Sequence, residues 1–495
     1  MKESRRQFIA KSGCALSMLA LATQARHFGL MSALANNVNT QPATAAYPPG
    51  DYRALVCIFL AGGNDGNNMV IPNHDNTSIS NYQAYANARN AQGLAIARNQ
   101  LLPITVPRIS GLTYGLHPGF GPYTGQPNNG IHELYGQGKL AVVTNVGNLV
   151  APMTRQQYQQ NGVAKPYQLF SHSDQVAQQQ AGISGQRSYS GWGGRISDNT
   201  HTNFNPNALI PTITSISGTT LFTIGGSTAP LAIASGNVAL NQVLVLQGYD
   251  SSTVAAARRE AISQVRTFNE GANLIQAANR ISDAAVQASS ALSTAVEVTV
   301  AFPNTTLGNQ LKQVARVIKR REGLGTNRQI FFCLLGGFDT HNGQVATATT
   351  GQNGLLLQLS QAMRAFYDEM VTQGTENNVT TLTLSDFGRT LNPAGSGTGA
   401  VGSDHAWGNH ALVMGGAVRG GDFYGMNTSN GTPFPTLQNS GPDDTDDRGR
   451  WIPTTSVEQY AATLARWYSL PEDQMSAVFP NIGNFTTSDL GFMSL

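Results

Sequence analysis

Leu55-Val56-Cys57-Ile58-Phe59-Leu60, followed at once by Ala61-Gly62-Gly63-Asn64-Asp65-Gly66-Asn67-Asn68, is the stretch on which the fold reading turns. A short apolar run of β-branched and aromatic residues stopped by glycine predicts a buried strand of a parallel sheet. Ile330 to Leu335 repeats the theme and leads into Gly336-Gly337-Phe338-Asp339-Thr340-His341. Leu382-Thr383-Leu384 leads into Ser385-Asp386-Phe387-Gly388-Arg389-Thr390. A fourth run reverses the order, with Gly402-Ser403-Asp404-His405 ahead of Ala411 to Met414. With Leu140 to Val143 added, strands are expected at 54–60, 140–144, 330–335, 380–384 and 411–414. They predict an α/β fold, one mostly parallel sheet flanked by helices. Ligands bind at strand ends in such sheets, so the Asp and His residues delivered there point to a functional site.

The segments between the strands differ in texture. Residues 73–130 are rich in Asn, Gln, Gly and Pro and read as loops and short helices over the site. Residues 208–250 alternate β-type residues with Gly and Ser, which predicts short strands or hairpins. Residues 252–294 read as a helical insertion, with Ile262, Val265, Phe268, Leu274 and Ile275 on one face. Helices are expected at 307–321 and 355–371. The second carries Leu355, Leu359, Met363, Phe366 and Met370 as a core stripe. Residues 51–495 are read as a single large α/β domain with loop-rich and helical insertions.

The N-terminus sets the expected compartment. Ser4-Arg5-Arg6-Gln7-Phe8-Ile9-Ala10-Lys11 matches the twin-arginine export pattern, and Ala33-Leu34-Ala35 offers a cleavage site. Residues 1–35 are therefore expected to be a signal peptide and 36–50 a flexible leader. The mature protein would be periplasmic or secreted, with the twin-arginine machinery as a partner. The apolar stretch from about Cys14 to Ala22 is too short for a stable membrane span. The chain has a formal charge of +2; the first 35 residues carry +4, so about −2 remains. That balance offers no electrostatic case for nucleic acid. Cys57 and Cys333 lie inside apolar runs, where a free thiol behaves as a small buried hydrophobe. Spacing alone does not decide whether they pair, and no metal-thiolate spacing occurs.

Divalent metals need carboxylates and neutral imidazoles converging from fixed supports. Asp65, Asp339, His341, Asp386, Asp404 and His405 supply that chemistry from strand ends. Asp339 and His341 are two apart in a loop that opens on glycine, so both can turn toward one ion. Asp404 can ligate beside His405 or orient it from behind. Any one Asp after a strand can equally be a helix N-cap. A cation also lets a hydroxyl act as a nucleophile at neutral pH. Thr154, and Ser171 or Ser173 beside His172, are the candidates. Arg155, Arg195 and Arg389 could hold an anionic group, because guanidinium matches phosphate or sulfate bidentately. Arg389 is preferred, lying close to Asp386. Gly62 to Gly66 is neither a Walker loop nor a dinucleotide fingerprint, and no Ser-centred elbow appears.

Phe59 to Asn68, Ser171 to Asp174, Gly191 to Arg195, Gly337 to His341, Ser385 to Thr390 and Gly402 to Gly421 together resemble the bacterial domain of unknown function 1501 family. That family belongs to the alkaline phosphatase and sulfatase superfamily. The resemblance implies an alkaline phosphatase/sulfatase-like sheet edge centred on divalent metal, such as zinc. It implies that Asp65 matches the early strand-end ligand, Asp339 and His341 the ligands of the other metal position, Asp386 the Asp of a Ser-Asp-His segment, and His405 the later His. Phe387 stands where many relatives place a ligating His. No Cys-x-Pro-x-Arg segment occurs, which argues against a formylglycine sulfatase. The expected function is exported, metal-dependent hydrolysis of a small anionic phosphate or sulfate ester by a Ser/Thr hydroxyl or water. The alternative is a non-catalytic exported protein that uses the same fold for surface or polymer binding.

Overall fold

The computed structural model describes residues 51–495 apart from 229, 247–251, 268–272, 346, 348 and 395–400. The signal peptide and leader read at residues 1–50 lie outside the described residues. In chain order the strands are β1 (Arg53–Ala61), β2 (Val70–Pro72), β3 (Leu102–Val106), β4 (Leu112–Leu116), β5 (Leu140–Gly147), β6 (Ile213–Ser215), β7 (Leu231–Ala232), β8 (Arg328–Gly336), β9 (Val379–Ser385), β10 (Arg389–Ala394), β11 (Gly402–His405), β12 (Asn409–Met414), β13 (Phe423–Tyr424) and β14 (Thr455–Ser456).

Nine of these form one mixed, mostly parallel sheet in the order β13-β5-β12-β9-β1-β8-β6-β7, with β14 also paired to β5. All five strands expected from the apolar runs lie in it. β1 is parallel to both β8 and β9. It is almost wholly apolar because both of its faces are buried. Val56, Ile58 and Leu60 enter a core shared with the helices Thr306–Lys319 and Gly351–Thr372. Leu55, Cys57 and Phe59 enter a second core shared with Trp192–Phe204 and Val457–Trp467. Leu359, Met363, Phe366 and Met370 are buried in the first core, as their spacing predicts.

The same alternation settles the cysteines. The register sets Ile58 opposite Cys333 and Cys57 opposite Phe332. Cys57 therefore faces the second core and Cys333 the first, and both are free, buried thiols.

Among the described strands of the sheet, β12 runs against its neighbours, antiparallel to β5 and to β9. Its beginning therefore reaches the edge where β1, β8 and β9 end. This is why Asp404 and His405 precede their strand while Asp339 and Asp386 follow theirs.

Three segments differ from expectation. Residues 73–130 hold β3 and β4, which form a small antiparallel sheet with β2; Pro103 and Gly115 mask these short strands in the sequence. β6 and β7 join the large sheet in parallel and make no hairpin. Helices Thr253–Thr267 and Asn273–Leu292 occupy the expected insertion. There Ala284, Ala288 and Leu292 reach the core while Ile262 is exposed. Phe268 and the side chains of Val265, Leu274 and Ile275 lie outside the described residues. No described helix is long and apolar enough to cross a membrane.

The loop after β8 is clamped by two glycines. Gly62 has φ +115°, and a Cβ there would lie 2.3 Å from Asp339 N. A Cβ on Gly402 would lie 2.0 Å from Thr340 O. Gly62→Ala is expected to cost about 2 kcal/mol or more, from left-handed strain and the backbone clash together. Urea denaturation reads this directly, and an unchanged midpoint would contradict the close approach.

Candidate metal centre

Four ligand-type atoms converge at the sheet edge. His172 is the first residue of the helix His172–Ala181; Asp339 and His341 lie in the loop after β8; His405 ends β11. His405 Nε2 lies 3.0 Å from His172 Nε2 and 2.9 Å from His341 Nε2. Asp339 Oδ1 is 3.4 Å from His172 Nε2, 3.1 Å from His341 Nε2 and 3.4 Å from His405 Nε2. One ligand atom from each of His172, Asp339 and His405 lies within 4.8 Å of the other two. Ligands sharing an ion at metal–ligand distances of about 2 Å sit roughly 3–4 Å apart.

Each imidazole is held from behind. His172 Nδ1 meets Asp386 Oδ2 at 2.7 Å, and His341 Nδ1 meets Asp404 Oδ1 at 3.0 Å. His405 Nδ1 meets the Phe170 carbonyl at 2.8 Å. These three partners are acceptors, so each Nδ1 carries a proton and each ring turns its Nε2 forward. His172, Asp339 and His405 form a set whose ligand atoms are close enough to share one ion, and His341 Nε2 lies beside two of them. This donor set fits a divalent metal, with the Nδ1 partners fixing tautomer and orientation.

The supports are themselves anchored. Asp386 follows β9 and accepts from Gly62 N at 3.0 Å, which ties it to the end of β1. Phe170 has φ +73°, a strained conformation for an aromatic residue. It aims the carbonyl at His405, and Arg450 stacks on the Phe170 ring at 4.6 Å while its Nε donates to His405 O at 3.0 Å. Phe387, buried, packs on the rings of His172 and His405 at 4.8 and 4.7 Å. It walls the site, and an imidazole arrives there from His172.

Arg389 has another task than the one read from sequence. Its side chain is fully buried. Nε donates to Gly63 O at 2.8 Å, Nη1 to Ser403 O at 2.5 Å, and Nη2 to Gly62 O at 2.6 Å and to Asp339 Oδ1. It therefore positions Asp339 and three loops and is closed to a substrate anion. Burial pushes the Asp339 carboxyl up, but Arg389, His172 and His341 outweigh it and bring it to about 2. The hydrogen bond to Asp386 leads in holding His172 above the ordinary imidazole range. Burial leads in pushing His405 below it, helped by His172, Arg389 and His341.

Other predicted residues stand elsewhere. Asp65 caps the turn Gly66–Met69 by accepting from Asn67 N at 3.0 Å. Arg89 clamps it bidentately at 2.6 and 3.1 Å, with both side chains fully buried, and Gln344 also donates to it. Its oxygens are thus engaged by protein donors, and it is not among the residues brought together. Thr154 closes a capping box with Gln157, and Ser171 Oγ donates to Asp174 Oδ2 at 2.7 Å. Arg155 donates to Asp446 O at 2.6 Å and Arg195 to Ser190 O at 2.8 Å. Asp386 and Asp404 orient His172 and His341 from behind. His172 is the ligand-type residue that strand-end reasoning missed. Its signal in the sequence is the Ser171-His172-Ser173-Asp174 segment, where the imidazole lies between two hydroxyls.

Asp65→Ala leaves Arg89 buried without its partner and is expected to cost about 3–5 kcal/mol, measured by urea denaturation. Bound metal per folded chain should stay unchanged. Loss of metal at full stability would instead place Asp65 among the ligands.

No curated protein matches. Similar solved structures include a sulfatase from Pseudoalteromonas sp., 10% identical, TM-score 0.26, with 81% of this chain and 68% of that one covered. A protein in the alkaline phosphatase superfamily from Vibrio parahaemolyticus is 8% identical, TM-score 0.31, covering 90% and 75%. Alkaline phosphatase from the Antarctic bacterium TAB5 is 7% identical, TM-score 0.25, covering 77% and 94%. The model of the family "Protein of unknown function (DUF1501)" matches residues 52–433, so the chain belongs to that family.

Proposed function

We propose that this chain is an exported, metal-dependent hydrolase acting on a small phosphate or sulfate ester. The observation that carries the reading is the mutual approach of one ligand atom each from His172, Asp339 and His405, with His341 Nε2 beside Asp339 and His405. A divalent ion such as zinc, when bound there, supplies Lewis acidity to an ester oxygen. Asp386, Asp404 and the Phe170 carbonyl keep the protons on the three Nδ1 atoms, so the Nε2 atoms stay free to ligate. Phe387 excludes water from one side of His172 and His405. The reading assigns the substrate anion to Arg448, whose side chain is 36% exposed and donates to Asp404. The Ser171 and Thr154 hydroxyls are engaged with Asp174 and Gln157, so the reading favours water as nucleophile. That same engagement favours a second reading, a metal-holding protein without hydrolytic activity.

Elemental analysis and ester assays separate the two. The mature protein should carry about one divalent ion, and His405→Ala should lose it and lower aryl phosphate or sulfate hydrolysis roughly 100-fold or more. Metal without hydrolysis favours the second reading, and protein that takes up no divalent metal sinks the first. Export has its own test: replacing Arg5 and Arg6 by Lys should leave precursor in the cytoplasm. Undiminished mature protein in the periplasm would count against twin-arginine routing.

A further inference from the structure

A cavity of about 820 Å³ opens beside the carboxyl end of β6, where Ile216 and Ser217 leave the sheet. Small-ligand sites span about 300–1,000 Å³. The opposite wall comes from the N-terminal parts of the helices Thr306–Lys319 and Gly351–Thr372, through Thr306 and through Leu357 and Gln358. None of its described lining residues is charged, and its side-chain polar groups are amides and hydroxyls.

Those groups divide into a fixed frame and a free set. Gln310 exchanges two hydrogen bonds with the Leu334 backbone, both at 2.8 Å. Gln361 binds the Asn128 backbone at 3.1 and 3.3 Å. By contrast, the side chains of Ser217, Asn237, Thr306 and Gln358 have no protein hydrogen-bond partner among the described residues. Amides and hydroxyls both donate and accept. An ion entering here would lose hydration without meeting an opposite charge, and a wholly apolar ligand would strip water from unpaired amides. A ligand studded with neutral hydroxyls satisfies both demands. Ile216 and Leu357, both buried, close the floor beneath those polar groups.

We propose that this cavity binds a neutral oligosaccharide. The inference does not rest on the metal-centred reading, because the cavity shares none of that site's ligand-type residues and the readout is binding, not hydrolysis. Saturation-transfer NMR on the mature protein would use neutral trisaccharides of glucose, mannose and galactose. A glucuronate-containing trisaccharide and a neutral Gly-Ser peptide serve as comparisons. At least one neutral trisaccharide should bind, and more tightly than either comparison. Gln358→Leu and Asn237→Leu should each weaken it about fivefold or more, the loss of one hydrogen bond, without moving the melting temperature. Asn237 is exposed, so its variant tests the site even if the Gln358 variant does not fold. Three results would overturn the inference: no neutral trisaccharide binds, binding survives both substitutions, or the acidic sugar or the peptide binds better.

Discussion

The guanidinium of Arg389 joins the end of β1, the loop after β8 and the β10–β11 pair. Its donors take up Gly62 O, Gly63 O and Ser403 O and hold Asp339. A fully buried cation is costly unless paired and hydrogen-bonded, and here the loop carbonyls and one carboxylate provide both. The loops that carry the ligand-type residues are therefore placed by the need to satisfy one charge. Asp339 stays ionised beside it and turns its Oδ1 toward the imidazoles.

Around that anchor the centre is built in two tiers. Asp386, Asp404 and the Phe170 carbonyl define which nitrogen of each imidazole is free. Asp386 is in turn held by Gly62 N and Asp404 by Arg448. Asp65 belongs to a different layer of the same support. Its buried pair with Arg89 reaches the Thr390 carbonyl in β10 through Arg89 Nη2 at 2.8 Å. Gln344 joins it to Ser403 in β11, whose hydroxyl donates to the Gln344 amide at 2.6 Å. Carboxylates of one chemical type thus take three tasks: Asp65 pairs with the Arg89 guanidinium away from the imidazoles, Asp386 and Asp404 each receive an imidazole Nδ1, and Asp339, held by Arg389, faces the Nε2 atoms.

The sheet's polarity makes the arrangement possible. Parallel β1, β8 and β9 end together at one edge, and antiparallel β12 begins there. Gly62 and Gly402 then let backbones approach so closely that the Phe338 to His341 loop is gripped on two sides.

Much of this was legible in the sequence. Apolar runs of Val, Ile, Phe and Leu determined the central strands, since only a sheet buried on both faces needs such continuity. The runs also placed Asp339, His341, Asp386, Asp404 and His405 at one edge, because chain order and strand ends are local properties. Roles were decided only by tertiary structure. Whether Asp65 meets a metal or a guanidinium depends on Arg89, on a separate helix. Whether Arg389 faces solvent or carbonyls depends on loops from β1 and β11. His172 enters from a helix with no strand before it. Pattern reports which side chains share a face, whereas a donor's partner comes from another element, 24 residues away for Arg89 and Asp65 and 214 for His172 and Asp386, and that pairing exists only once the chain has folded.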